Sequence, residues 1–311
     1  MKGLVIRSSR NLFTVSAEGR ELECRIKGKV LKNAEGYYNP LAPGDIVEIE
    51  GSLITGYEKR RNHFTRFNQK GQAPQLLASN VDLVVCVSSY SLPPFRPRFL
   101  DRALLQADIA GIPAAIVCNK CDLSGEEEGL DIEERLSDFE RIGYPVYRLS
   151  AKTGEGLAEF INCIKGKYAV LIGQSGTGKS SLIKAIIPEL EIKTASVSEK
   201  YRRGKHTTTQ GVLLEGPAGK NPGDHLRVTD TPGIRRFAVA GLSPEDLILF
   251  MREFSPLAGK CSYGLSCSHQ SEIGCKIMEA VDAGVIHEDR YGSFLKIRNE
   301  LAGKNEYPDT D

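Results

Sequence analysis

Residues 167–181, KYAVLIGQSGTGKSS, narrow the possible folds more than any other stretch of the chain. The apolar run reads as a buried strand, and it leads straight into the spacing Gly173-x4-Gly178-Lys179-Ser180 of a phosphate-binding loop. Such a loop sits between a parallel strand and a helix, so the segment predicts an α/β sheet with helices on both faces. The backbone N–H groups of Gly173, Gln174, Ser175, Gly176, Thr177 and Gly178 are expected to wrap a phosphate. Lys179 would bring positive charge to the β- and γ-phosphates and the Ser180 hydroxyl would hold Mg²⁺, with Ser181 beside it counted among the nucleotide contacts.

The surrounding texture agrees. From about Val81, apolar runs VDLVVCVSS, PAAIVCN, YPVYRLSA and HLRVTD alternate with helix-like stretches such as RFLDRALLQADIAG and DIEERLSDFERIG. The last run ends at Asp230 and continues as Thr-Pro-Gly. Alone, that tetrapeptide is most often a turn; downstream of a phosphate loop, Asp230 would hold Mg²⁺ through water and the Gly233 N–H would reach the γ-phosphate.

Two further segments point to guanine. Asn119-Lys120-Cys121-Asp122 follows the strand PAAIVCN. The Asp122 carboxylate can accept from the N1–H and N2–H₂ edge of guanine, which adenine does not match. Asn119 can bond N7 or tie neighbouring loops together, and the Lys120 stem can lie over the base. Ser150-Ala151-Lys152 follows the next strand, where the Ala151 N–H can bond guanine O6. Both precede the phosphate loop, the reverse of the ordinary GTPase order. Circular permutation accounts for this, because a domain whose ends lie close together keeps its sheet when the chain is rotated.

The remainder divides around this unit. Residues 1–73 carry short alternating segments (NLFTVSA, DIVEIEG, SLITGYE) broken by Gly, Pro and Asn, the pattern of a small antiparallel barrel or sandwich. The 311-residue chain is nearly neutral at +1, yet its first 73 residues hold 13 Lys/Arg against 8 Asp/Glu. The α/β unit is expected over 74–255 and a helical unit over 256–311. There, Cys261-x5-Cys267-x-His269-x5-Cys275 offers three thiolates and one imidazole, the ligand set of a closed tetrahedral zinc site. The remaining cysteines, Cys24, Cys86, Cys118, Cys121 and Cys163, are scattered, several in apolar runs where a thiol behaves as a small hydrophobe. His63, His225 and His287 are read as loop or solvent residues. No apolar stretch is long enough for a membrane span and no leader pattern follows Met1, so a cytoplasmic protein is expected.

Taken together, the Asn-Lys-x-Asp loop, Ser-Ala-Lys, phosphate loop, Thr-rich switch and Asp-Thr-Pro-Gly resemble the circularly permuted GTPases. PLAPGDIVEIEG, the RRN at 60–62, GKHTTTQG at 204–211 and the Cys/His group resemble one member closely, the ribosome small-subunit-dependent GTPase A family. The resemblance implies an oligonucleotide-binding (OB) barrel, a permuted GTPase domain and a zinc domain, with GTP hydrolysis to GDP coupled to late maturation of the small ribosomal subunit. The expected partners are that subunit with its ribosomal RNA and GTP or GDP, no membrane, and the protein itself is expected to be a monomer. Lys59, Arg60, Arg61 and Arg66, interleaved with Phe64 and Phe67, would meet the RNA, with Arg202, Arg203 and Lys205 of the switch as further contacts to RNA or phosphate. In the switch, spacing favours Thr208 as the Mg²⁺ and γ-phosphate sensor, with Thr207 and Thr209 as alternatives. Ile234 stands where many GTPases place a water-orienting Gln, so intrinsic hydrolysis should be slow, and His206, similar to the family's switch His, is the expected catalytic replacement. The competing readings are a phosphate-loop ATPase or kinase, disfavoured by Asp122 and Ser-Ala-Lys, and an RNA-binding module with a vestigial nucleotide site, opposed by intact Lys179, Ser180 and Asp230.

Overall fold

A computed structural model describes residues 1–9, 11–28, 36–123, 132–190, 211–218 and 221–303. The switch residues His206, Thr207, Thr208 and Thr209, with Arg202, Arg203 and Lys205, lie outside the described residues.

Five strands, β1 (Lys2–Ser9), β2 (Leu12–Ala17), β3 (Arg20–Ile26), β4 (Ile46–Glu50) and β5 (Leu53–Tyr57), pair in the order β1-β2-β3-β5-β4, and β4 returns to β1. The sheet therefore closes on itself, in the order of an OB barrel, which settles barrel against sandwich. Alternation drives the closure: Phe13, Val15 and Ala17 on β2 and Val47 and Ile49 on β4 point inward, while the intervening Glu48 and Glu50 face out.

The hairpin of β6 (His63–Asn68) and β7 (Ala73–Ser79) follows the barrel, yet its Phe64 is buried in the core of the α/β layer, with ring centroids 5.8 Å from Phe237. A second seam is the pairing of Arg7 with Val212, through which β1 touches the edge of the main sheet.

That sheet runs β10 (Val146–Arg148), β9 (Ala114–Asn119), β8 (Leu83–Ser89), β11 (Tyr168–Gly173), β13 (Asn221–Asp230) and β12 (Val212–Ala218), parallel except for β12. Strands β8, β9 and β11 are buried at every residue, as parallel strands covered on both faces must be. Alternate residues serve opposite faces. Val84, Cys86, Ile116, Cys118, Val170 and Ile172 pack under α1 (Pro97–Ile109) and α2 (Ile132–Arg141). Val85, Val87, Val117, Ala169 and Leu171 pack under α3 (Leu157–Ile164) and α4 (Lys179–Ile186). The buried Cys86 and Cys118 are held well above the usual thiol range by desolvation, which keeps them neutral within the core.

Beyond α5 (Leu247–Phe250), the cysteine loops lead to α6 (Lys276–Asp282) and α7 (Glu288–Leu301). The His287 ring caps α7 by accepting from the Asp289 N–H at 3.1 Å, a structural role for a histidine that the sequence left without a partner. Helix α7 docks on α1 through charge. Buried Asp101 of α1 accepts from Arg290 at 3.0 Å, from Arg135 of α2 at 3.1 Å and from Ser293, while Arg290 also donates to Glu253 at 2.6 and 2.9 Å. Arg102 pairs with Glu300 at 2.5 and 2.6 Å, and Arg252 with Asp108 at 2.9 and 3.1 Å. Among the described residues no helix is long and apolar enough to cross a membrane.

Candidate nucleotide site and metal cluster

The predicted nucleotide residues converge at the C-terminal ends of β9, β10, β11 and β13, the edge where open parallel sheets place ligands. Gly173 ends β11 and Lys179 opens α4, so the loop between them turns directly into a helix N-terminus whose unpaired N–H groups favour an anion. Gly178 has φ +89°, and a Cβ there would stand 2.3 Å from Asn119 Nδ2, so only glycine lets the base loop approach this closely.

Asn119 is the joint of the site. It is 2 % exposed, its Nδ2 donates to the Thr177 carbonyl at 2.9 Å, and its Oδ1 accepts from Ala151 N–H at 3.0 Å and Lys120 N–H at 2.8 Å. One side chain thus ties the Asn-Lys-x-Asp loop, the Ser-Ala-Lys loop and the phosphate loop together, the second of the two roles considered for it. Lys120 reaches across to the carbonyls of Leu92 and Gly176, 2.9 Å from the latter. Asp122 is exposed on a short turn over Cys121–Leu123. Ser150 is buried and its Oγ accepts from Lys152 and Thr153 N–H at 3.3 and 3.2 Å, which shapes the loop that presents Ala151.

On the phosphate side, Lys179 Nζ donates to the carbonyls of Gly173 and Gln174, both at 2.8 Å. Burial lowers the lysine's pKa, with Asp230 pulling the other way. Thr177 Oγ1 closes the same turn on the Gln174 carbonyl at 3.1 Å, and Ser175, Gly176 and Ser181 are exposed. Ser180 Oγ donates to Asp230 Oδ2 at 3.2 Å, while Oδ1 of Asp230 is buried with no hydrogen-bond partner. Burial raises the Asp230 carboxyl; Lys179 and Ser180 pull it back. A buried carboxylate oxygen left open beside a serine hydroxyl suits a hard cation carrying oxygen ligands, so these residues fit Mg²⁺.

Gly233 lies against the phosphate loop: a Cβ would stand 2.8 Å from Ser175 Cα, and the next amide, Ile234 N–H, donates to the Gly173 carbonyl at 3.1 Å. Ile234 itself is buried with Phe237 in the core, so it is turned away from any attacking water.

The basic residues of the front segment are treated unequally. Arg60 is turned inward: Nε and Nη2 donate to Asp45 at 2.7 and 2.9 Å and Nη2 to the Pro40 carbonyl at 2.7 Å, leaving the side chain 9 % exposed. Asp45 is 1 % exposed, so its charge is met by this guanidinium. Lys59 and Arg61 are exposed, the latter paired with Asp82 at 2.6 Å, and Arg66 donates to Gln75 at 3.1 Å from a half-buried position.

In the C-terminal unit Cys261, Cys267, His269 and Cys275 are all buried, with ligand atoms within 4.8 Å of one another. Cys261 Sγ and Cys275 Sγ are 3.9 Å apart and each lies 3.5 Å from His269 Nδ1. Sulfur at ~2.3 Å and nitrogen at ~2.0–2.1 Å from a tetrahedral ion would stand about 3.8 Å (S–S) and about 3.5 Å (S–N) apart. The cluster can therefore hold a metal ion. Its loops are braced from outside: Tyr291 OH donates to the His269 carbonyl at 2.6 Å, and Glu272 accepts from the N–H groups of Ser268, Gln270 and Ser271.

Comparison with known proteins agrees with this arrangement. The model of the RsgA GTPase family matches residues 57–240. A Small ribosomal subunit biogenesis GTPase RsgA of Borreliella burgdorferi is 36% identical over 310 residues, 97% of each chain, and one of Bacteroides fragilis is 34% identical over 304 residues, 96% of each. Among solved structures, YjeQ from Thermotoga maritima superposes with a TM-score of 0.71 at 30% identity, covering 98% of this chain and 99% of that one. YloQ, described as a circularly permuted GTPase, superposes with 0.65 at 26%, covering 99% and 96%. With relatives matching from end to end and the same loops gathered at one sheet edge, the chain belongs to the RsgA GTPase family.

Proposed function

We propose that the chain binds GTP across the Asn119 joint and hydrolyses it to GDP and phosphate in the service of small ribosomal subunit maturation, with the subunit as activator. The observation that carries this is the junction of both base loops with the phosphate loop through one buried asparagine, next to the open Oδ1 of Asp230. Asp122, Ala151, Lys120 and Lys152 would read the base. Gly173 to Ser181 would hold the phosphates, with Lys179 and the Gly233 N–H meeting the charge that develops on the γ-phosphate. Mg²⁺, held by Ser180, Asp230 and Thr208, would neutralise the β- and γ-oxygens. His206 would orient the attacking water, which the buried Ile234 cannot do.

The division into 1–73, 74–255 and 256–311 belongs to the same reading, with the hairpin over 63–79 as the seam between the first two. The cysteine cluster would hold structural zinc, since three thiolates and one imidazole fill a tetrahedral shell and leave no place for water. Lys59, Arg60, Arg61 and Arg66 would contact ribosomal RNA, with Arg60 also bracing its loop through Asp45. The protein would act as a monomer in the cytoplasm.

The test is hydrolysis of GTP and ATP by the purified protein with and without isolated small subunits. Slow GTP-only turnover that rises strongly with subunits is expected, and Asp122→Asn should abolish the preference for guanine. Equal use of ATP would restore the ATPase reading, and no turnover under any condition would leave an RNA-binding module.

A further inference from the structure

Beside the phosphate loop, which lends it Gln174, lies a second cleft whose chemistry is set by arginine. It is walled by Arg98 and Arg102 of α1, Arg235 and Arg236 after Gly233, Gln174 of the phosphate loop, and Glu300 of α7. Four arginines and one glutamate thus line one cleft, although the chain as a whole carries only +1. Glu300 is already bound as an anion would be, with its two oxygens 2.5 and 2.6 Å from the two terminal nitrogens of Arg102. That fork geometry accepts phosphate as readily as carboxylate. Arg102 is 11 % exposed and Glu300 33 %, so the pair is reachable from outside.

The enclosed part of the cleft has a volume of about 50 Å³. One water needs roughly 10–15 Å³ of such space, so this part has room for a small oxyanion. Its walls come from parts of the molecule that otherwise serve different ends. Gln174 lends its carbonyl to Lys179, the 235–238 segment continues from Gly233, and Ala238 is bonded to the hairpin through Phe67 N–H at 2.9 Å.

We propose that this cleft is a second anion site, which takes a backbone phosphate of an RNA chain and displaces Glu300 from Arg102. The proposal deepens the reading of an RNA-containing activator and rests on it. An anion seated there lies between α1, Gln174 and the 235–238 segment, so an RNA phosphate would be bound against the phosphate loop itself.

The experiment uses the full chain bound to a GTP analogue and measures affinity for isolated small subunits across a range of salt, alongside subunit-stimulated hydrolysis normalised to each variant's own subunit-free rate. Arg98→Gln with Arg235→Gln, two side chains outside the core, should weaken subunit binding about tenfold or more and reduce the slope of log affinity against log salt by about 1 to 2. Glu300→Gln should act in the opposite sense, tightening binding severalfold, because it removes the competing carboxylate. A purely structural role for the Arg102–Glu300 pair predicts weaker binding for Glu300→Gln and no change for the arginine variant. Unchanged salt slopes in the arginine variant, or weakening by Glu300→Gln, would overturn the proposal. A second arm adds inorganic phosphate at millimolar concentration: full displacement of the arginine-dependent effect, with no contribution from a short single-stranded RNA, would assign the cleft to free phosphate and overturn it as an RNA site. If the unaltered protein shows no stimulation and no binding by subunits, the proposed function fails first; normal stimulation with indifferent variants sinks only the cleft.

Discussion

Replacing Asn119 with alanine tests whether this side chain works by joining loops or by reading the base. The substitution removes two bonds between loops, to the Thr177 carbonyl at 2.9 Å and from Ala151 N–H at 3.0 Å, and one local bond from Lys120 N–H. Thr177 is 2 % exposed, so its carbonyl gains little water in exchange. Leaving a buried neutral group unpaired costs about 1–3 kcal/mol, and the two inter-loop bonds together are worth roughly 2–4 kcal/mol. At about 1.4 kcal/mol per tenfold, nucleotide affinity should fall roughly 30- to 1,000-fold, for GTP and GDP alike. The control is 7-deaza-GTP, which lacks the N7 acceptor. If Asn119 acts mainly as the joint, the unaltered protein should bind this analogue within about tenfold of GTP, the worth of one neutral hydrogen bond. Equilibrium titration of both nucleotides against both proteins completes a double-mutant cycle. The reasoning is refuted if the analogue costs the unaltered protein as much as Asn119→Ala costs with GTP, and if the variant no longer distinguishes the two nucleotides.

Three other outcomes follow from the same geometry. Because burial raises the Asp230 carboxyl, the folded protein takes up its proton at a higher pH than the unfolded chain does; ionised Asp230 therefore costs stability above that pH, and protons compete with Mg²⁺ as pH falls. Mg²⁺-dependent GTP affinity should drop as pH falls, beginning above the ordinary aspartate range, and Asp230→Asn should abolish this dependence; an identical pH profile in the variant would contradict it. Cys267→Ser should leave the purified protein with less than one bound metal per chain by elemental analysis and open the region after Phe254 to limited proteolysis, while unaltered protein that takes up no Zn²⁺ would remove the metal from the account. Asp101→Ala strips the acceptor shared by two buried arginines and should cost about 3–5 kcal/mol, lowering the melting transition by roughly five to eight degrees, whereas a loss under ~1 kcal/mol would mean that Glu253 and Asp138 suffice for Arg290 and Arg135.

What the sequence determined by itself was local. The phosphate loop, Asn-Lys-x-Asp, Ser-Ala-Lys and the cysteine spacing are short, nearly contiguous patterns whose chemistry needs those residue types in that order, so they were legible without coordinates. Strand alternation and fully apolar runs likewise announced a small antiparallel β unit and the buried parallel sheet, because side-chain period follows directly from backbone geometry, while the pairing of β4 with β1 decided barrel against sandwich. The permuted order was legible too, since the loops can be ranked along the chain. The tertiary structure decided which groups meet across long separations. Nothing near Arg60 in the chain foretold that Asp45 would draw it inward, and a run of basic residues looked alike until that pair formed. Asp101 and Arg290 lie 189 positions apart, and Arg102 and Glu300 198, distances over which no periodicity carries information. The same holds for Asn119 and Thr177: each sits in its own motif, but only the packing of β9 beside β8 and β8 beside β11 brings one amide against the other's carbonyl.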